Sequence, residues 1–199
     1  MEKKLVLASN NKGKIREFNA LFASRGIEVE AQGALGVTEC AEPYGTFLEN
    51  ALAKARNAAR QTGLAAMADD SGITAHALVT EPGVHSARYA GEAADDAANN
   101  AKLVAALKGS SDRRAAYTCV LVAVRSADDP DPVVAQASWT GEIIDEPRGS
   151  GGFGYDPHFY LPQFGRTAAE LTAEEKNAVS HRGRAMKRML AALSERWGW

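Results

Sequence analysis

Several things are scarce in this chain, and each absence excludes a class. Cysteine is nearly missing: 199 residues carry two, Cys40 and Cys119, far apart. Cys119 sits inside YTCVLVAV and reads as a buried, reduced thiol. Long apolar runs are missing too. Behind Met-Glu-Lys-Lys only Leu5 to Ser9 are apolar or small, too short for a secretory segment or a spanning helix. That argues for the cytoplasm and against a membrane. No charge sign dominates: 23 Lys+Arg face 25 Asp+Glu, a formal charge of -2. A nucleic-acid coat or a membrane-surface binder would be far more basic. Any anionic ligand must therefore be met by a local cluster of cations. The four histidines, His76, His85, His158 and His181, are scattered without zinc-ligand spacing. No Gly-x-Ser-x-Gly elbow and no internal repeat occurs.

What is present is an ordinary globular composition, 45% hydrophobic and 24% charged. The length suits a single domain, or two intimately joined lobes. Residues 4–9 (KLVLAS) and 27–32 (IEVEAQ) read as strands, with Ile15, Phe18, Leu21 and Phe22 at helical spacing between them. Residues 46–63 form a helix opened by Thr46 and Glu49, a capping-box pattern, and closed by Gly63. Phe47, Ala51, Ala55 and Ala58 line one side of it; Asn50 and Lys54 share another face. LAAMA (64–68) reads as a buried strand ending at the aspartates, followed by a Ser-Gly turn and by ITAHALV (73–79) as a further strand. Residues 93–108 are helical; 115–125 and 133–143 pair as a hairpin across SADDPDP. After a glycine-rich loop (145–157) come a short strand, HFYLP, and a helix in two pieces over 172–197. Thr172 with Glu175 caps the first piece. Met186, Met189, Leu190, Leu193 and Trp197 form the stripe of the second. Helices mixed with hairpin strands indicate an α/β fold with a mixed sheet.

Four loops can carry chemistry. SNNKGK (9–14) joins a strand to a helix, which aims backbone amides and a helix dipole at an anion, with Lys14 adding charge. Its glycines do not make a Walker A loop, and a strand-to-helix turn of this composition is, alone, more often an ordinary turn. ADDSG (68–72) supplies the carboxylate oxygens a hard divalent cation wants. In an extended strand Asp69 and Asp70 point to opposite faces. The same letters also fit a solvated acidic turn. GGFGYDP (151–157) lets backbone approach a ligand and offers Phe153 and Tyr155 as flat faces for a base; it equally fits a glycine loop with core aromatics. EKNAVSHRGR (175–184) gathers Lys176, His181 and Arg182 near a helix start where Ser180 can cap. Arg184, Lys187 and Arg188 read as surface charge.

Together these loops are far more specific than any one of them. LASNNKGKIREF, GTFLENALAKA, ADDSG, PGVHSARYAG, GGFGYDP and TAAELTAEEKNAVSHRGRA run in order over nearly the whole chain. In this the sequence closely resembles the inosine/xanthosine triphosphate pyrophosphatase family. The resemblance implies a long, twisted mixed sheet flanked by helices, with two lobes around a nucleotide cleft. It implies Mg²⁺-dependent hydrolysis of ITP, dITP or XTP to a monophosphate plus pyrophosphate, by a homodimer. Carried over by position, Ser9, Asn10, Asn11, Lys12, Gly13 and Lys14 resemble the phosphate binder. Asp70 resembles the general base and metal-associated carboxylate, and Ser71 a substrate contact. Glu42 lies where an acid sits near the metal, and Lys54 matches a lysine facing the phosphates. Phe153, Gly154, Tyr155 and Asp156 match the base-binding loop; Lys176, His181 and Arg182 match residues gripping the base and its neighbouring phosphate. Two positions depart. An acid pair is common before the capping-box helix, but here it reads Ala41-Glu42, and His85 stands where tyrosine is common. The rival readings are a septum-formation-inhibitor-type pyrophosphatase acting on pyrimidine or modified nucleotides, and a non-catalytic nucleotide-binding module.

Overall fold

The computed structural model describes residues 3–93 and 95–199. Among the described residues seven strands form one sheet in the order β2-β1-β3-β4-β5-β6-β7. They are β1 (Lys3–Leu7), β2 (Ile27–Ala31), β3 (Ala66–Ala75), β4 (Arg114–Val124), β5 (Val133–Ile143), β6 (Phe159–Leu161) and β7 (Arg166–Thr167). β1 pairs parallel with β2 and β3, whereas β5–β6 and β6–β7 are antiparallel. The sheet is therefore mixed. The helices are α1 (Lys12–Ala23), α2 (Phe47–Thr62), α3 (Asp96–Ala106), α4 (Ala173–Val179) and α5 (His181–Trp197). Among the described residues no helix is long and apolar enough to cross a membrane.

The chain makes two compact units. One comprises Met1–Asp70, Cys119–Gln136 and Ala185–Trp199; the other Ser71–Thr118 and Ala137–Arg184. In the first, α2 buries Ala51, Ala55, Ala58 and Ala59 with Val6, Ala66, Ala68 and the β4 residues Val120, Val122 and Val124. The alanines leave little side chain between helix and sheet, so backbones approach closely. Phe18 and Phe22 of α1 are fully buried, with ring centroids 5.8 Å apart. Each contributes on the order of 1.5–3 kcal/mol by burial. The core of the second unit is more aromatic: Tyr89, Tyr117, Trp139, Tyr155 and Phe159 pack with Ile73, Leu103, Leu107 and Leu161.

Two expectations change. LAAMA and ITAHALV are one strand, because β3 runs unbroken through Asp69, Asp70, Ser71 and Gly72, and only His76–Leu78 turns, as a 3-10 helix. No Ser-Gly turn forms. Sheet pairing overrides turn propensity here, and the Ile73 amide is held by Ser86 Oγ at 2.9 Å. The two-residue β7 was not foreseen; it is too short to show any period.

The caps fall largely where the sequence puts them. Thr46 accepts from the Glu49 amide, and Thr172 with Glu175 forms a full capping box. At the α4–α5 junction Ser180 Oγ accepts from the Gly183 amide at 3.1 Å. Gly183 has no alternative there: a Cβ would fall on the carbonyl oxygen of Asn177. Alanine normally strengthens a helix, but Gly183→Ala is expected to cost roughly 1–3 kcal/mol through overpacking. Urea unfolding of that variant checks this. A midpoint at or above wild type would contradict the close approach.

Candidate active site

In the first unit, β3 presents two neighbouring carboxylates and two helices bring a lysine to each. Lys14, in the first turn of α1, reaches both Asp69 oxygens, at 3.0 and 2.8 Å. Asp69 is almost wholly buried, its side chain 1% exposed. Lys54 of α2 donates to Asp70 Oδ1 at 3.1 Å and to Glu42 Oε2 at 3.0 Å. Asn50, one turn before Lys54, adds a longer contact to Asp70 Oδ2 at 3.4 Å. The same amide group clamps the loop before α2, since Asn50 exchanges hydrogen bonds with both Tyr44 backbone groups.

Burial pushes the Asp70 carboxyl up to about 6. Lys54 opposes that rise, and the Glu42 carboxylate adds to it. Burial would lower the Lys54 ammonium, but Asp70, Asp69 and Glu42 outweigh it and hold its pKa above the usual lysine value. A small polar cavity is walled by Ser9, Lys14, Glu39, Glu42, Lys54 and Asp69. Asp70 is not on that wall; it meets it through Lys54. The opposite directions of neighbouring strand residues explain this.

The strand-to-helix loop is built differently from the sequence expectation. Asn11 caps α1, and its Oδ1 accepts from the amides of Gly13 and Lys14 at 2.9 and 3.1 Å. Ser9 Oγ accepts from the Asn11 amide at 3.2 Å. The amides of Asn11, Gly13 and Lys14 are thus taken by the loop's own side chains, because an Asx cap satisfies orphan donors of a helix start. Asn10 is exposed and donates to Glu39 at 2.7 Å. Lys12 opens α1 at the surface.

In the second unit, Asp156 organises the glycine loop. It is buried, and its Oδ2 accepts from the Phe153 amide at 3.0 Å and from the Lys176 ammonium. Gly152 must be glycine, because a Cβ there would collide with that carboxylate. Gly154 is held from α3: its amide donates to Asp96 at 2.6 Å and its carbonyl accepts from Asn100 at 2.8 Å. Phe153 is 54% exposed. Lys176 Nζ lies 4.9 Å, and the Arg182 guanidinium 5.5 Å, from its ring centroid. His181 and Arg182 are buried at the start of α5. The His181 ring lies parallel to that of Tyr117.

Tyr155 is not a face for a base. It is 3% exposed, with its hydroxyl on the Ser86 carbonyl at 2.7 Å. Of the two readings of this loop, the core aromatic holds for Tyr155 and the exposed face for Phe153. Ser71 is half-buried on β3. His85 is exposed, so its departure from tyrosine disturbs no core. Sequence reasoning missed Asn50 as a partner of Asp70, although its i, i+4 relation to Lys54 was the available signal. It also missed Tyr117, for which strand alternation gives no distinguishing mark.

Comparison with known proteins agrees with this arrangement. The Ham1 family model matches residues 5–192. A Ralstonia nicotianae protein called dITP/XTP pyrophosphatase is 61% identical over 194 residues, covering 96% of each chain. A Nitrosomonas europaea protein of the same name is 61% identical over 192 residues, covering 96% of this chain and 95% of its own. The solved structure of a HAM1 protein from Coxiella burnetii superposes with a TM-score of 0.94 at 47% identity, covering 96% of this chain and 98% of that one. The resemblance seen in the motifs is thus borne out over almost the full length, and the chain belongs to the Ham1 family.

Proposed function

We propose that this chain hydrolyses deaminated purine nucleoside triphosphates (ITP, dITP and XTP) to the monophosphate and pyrophosphate, with water attacking the α-phosphorus. The observation that carries this is the pairing of two kinds of chemistry in one chain. One unit sets lysines around a carboxylate whose pKa burial raises to about 6. The other sets hydrogen-bond donors beside an exposed aromatic ring. Relatives about 60% identical carry the name dITP/XTP pyrophosphatase. The homodimer belongs to the same proposal and rests on the family resemblance.

In this reading Lys14 and Lys54 take the phosphates, and Asp70 takes a proton from the attacking water. Asp69 is a poor base: both its oxygens are on Lys14 and it is almost wholly buried. Asp70 keeps more exposure, and a pKa near the operating pH suits a general base. The donor set also fits Mg²⁺. Glu42 and Asp70 already share one cation, the Lys54 ammonium. Among the described residues no group of three or more acids, histidines or cysteines is placed to hold a metal ion by itself. Mg²⁺ favours one or two carboxylates completed by phosphates and water. When bound, it offsets charge on the phosphoryl oxygens and the leaving group.

Selectivity follows from donors. Hypoxanthine and xanthine present an acceptor at the 6-position, where adenine presents an amino group. His181, Arg182 and Lys176 reward the acceptor, and Phe153 stacks, a contact worth about 1–3 kcal/mol by analogy with single-stranded bases. Guanine shares the 6-oxo group and must be rejected at its 2-amino group.

Pyrophosphate release over ITP, XTP, GTP, ATP and dUTP, with and without Mg²⁺, tests this directly. We expect ITP and XTP to exceed ATP and GTP by at least ~100-fold in kcat/KM, and activity to vanish with chelator. Equal rates on all substrates would defeat the selectivity account; release of pyrophosphate from dUTP alone would favour the septum-formation-inhibitor type.

The pH profile tests the base. Asp70 must be ionised to accept a proton, so kcat/KM should fall about tenfold per pH unit below about 6. Lys54 lowers the Asp70 pKa, so Lys54→Met should move that acid limb to higher pH. A limb unmoved by that substitution, or a flat profile from pH 5 to 8, would reject Asp70 as the base.

A further inference from the structure

Tyr117 lies on β4, outside every stretch that carries the family resemblance. It is buried in the aromatic core of the second unit. Its ring lies flat on that of His181, with centroids 4.7 Å apart and planes 4° from parallel. Its hydroxyl donates to Asp156 Oδ1 at 3.5 Å. The other Asp156 oxygen holds the Lys176 ammonium and the Phe153 amide. One side chain therefore touches two members of the set assigned to the base, and through Asp156 reaches two more.

The ring itself has little freedom. Phe159 meets it edge-on, centroids 4.8 Å apart, and Trp139 packs against Phe159 at 5.3 Å. Side chains packed at this density occupy single rotamers. Burial and the nearby Asp156 carboxylate hold the Tyr117 hydroxyl well above its ordinary pKa. It therefore remains a donor at any working pH. A residue that only filled core space would not need this hydroxyl; phenylalanine would fill the same volume without a buried polar group.

We propose that Tyr117 is a positioning residue for nucleobase selectivity, its ring setting the plane of His181 and its hydroxyl setting the Asp156 carboxylate, so that both meet the base as one rigid unit. This rests on the base assignment made under Proposed function.

The test compares wild type, Tyr117→Phe and Tyr117→Leu by calorimetric binding of IMP, by kcat and KM on ITP and GTP, and by urea unfolding. Tyr117→Phe keeps the stack and loses the hydrogen bond. It should weaken IMP binding and raise KM for ITP roughly 3- to 10-fold, leave kcat near wild type, and narrow the ITP-to-GTP ratio. Tyr117→Leu also loses the stack, which should add a further factor of about 2–10. It should also reduce the ring-current shift of the His181 ring protons to the part contributed by Trp139, 6.2 Å away, whereas Tyr117→Phe retains the full shift.

If Tyr117→Phe binds IMP as wild type does and keeps the full ITP-to-GTP ratio, the inference is wrong, and Tyr117 is core alone. A loss confined to kcat would also overturn it. Should Tyr117→Leu fail to fold, Tyr117→Phe decides by itself. Wild-type protein that binds no IMP would defeat the base assignment, and this inference with it; wild type that binds IMP alongside an unaffected Tyr117→Phe defeats this inference alone.

Discussion

Two adjacent carboxylates on one strand, each met by a lysine from a different helix, hold the first unit's chemistry together. Like charges at consecutive positions would repel if both faced one way. Because β3 stays extended, they face opposite ways. Asp69 closes on Lys14 and fixes the start of α1; Asp70 closes on Lys54 and, with Glu42, fixes the cationic face of α2. A buried pair of this kind adds little net stability by itself. Breaking it is costly, because the remaining charge is left unpaired. The strand, the two helices and the loop before α2 therefore depend on the same few ion pairs.

The second unit follows a similar plan with different materials. Asp156 is a buried carboxylate, and a lysine, Lys176, again closes on it. Here the pair shapes a glycine loop rather than a helix. The two buried acids, Asp69 and Asp156, each hold a lysine, Lys14 and Lys176. Asp70 stands apart because it keeps some exposure and its proton affinity is raised.

Most of the elements were legible because their periods are long. α2 shows its alanine face and its caps plainly, and the alternating burial of β5 follows its letters. What failed was local turn chemistry under tertiary control. Ser71-Gly72 reads as a turn by propensity, yet sheet pairing keeps it extended. Asn11 illustrates another limit: its side chain serves the helix cap, which no spacing rule separates from anion binding. The candidate residues were legible through the family resemblance rather than through physics alone. Tyr155 shows the cost of reading an aromatic without its burial, and Tyr117 shows the reverse, a core residue whose partners alone reveal its interest.

The division of labour between the two aspartates is the central claim, and one paired measurement tests it: urea unfolding and steady-state pyrophosphate release for Asp69→Asn and Asp70→Asn. Asp69→Asn should lose about 3 kcal/mol of stability, the lower end for a broken buried pair because Lys14 keeps some exposure, and retain turnover within about tenfold. Asp70→Asn leaves Lys54 paired with Glu42, so it should lose less stability than Asp69→Asn, and it should lose roughly 10²- to 10⁴-fold in turnover. Equal loss of turnover in two stably folded variants would contradict the account and place both carboxylates in the chemistry.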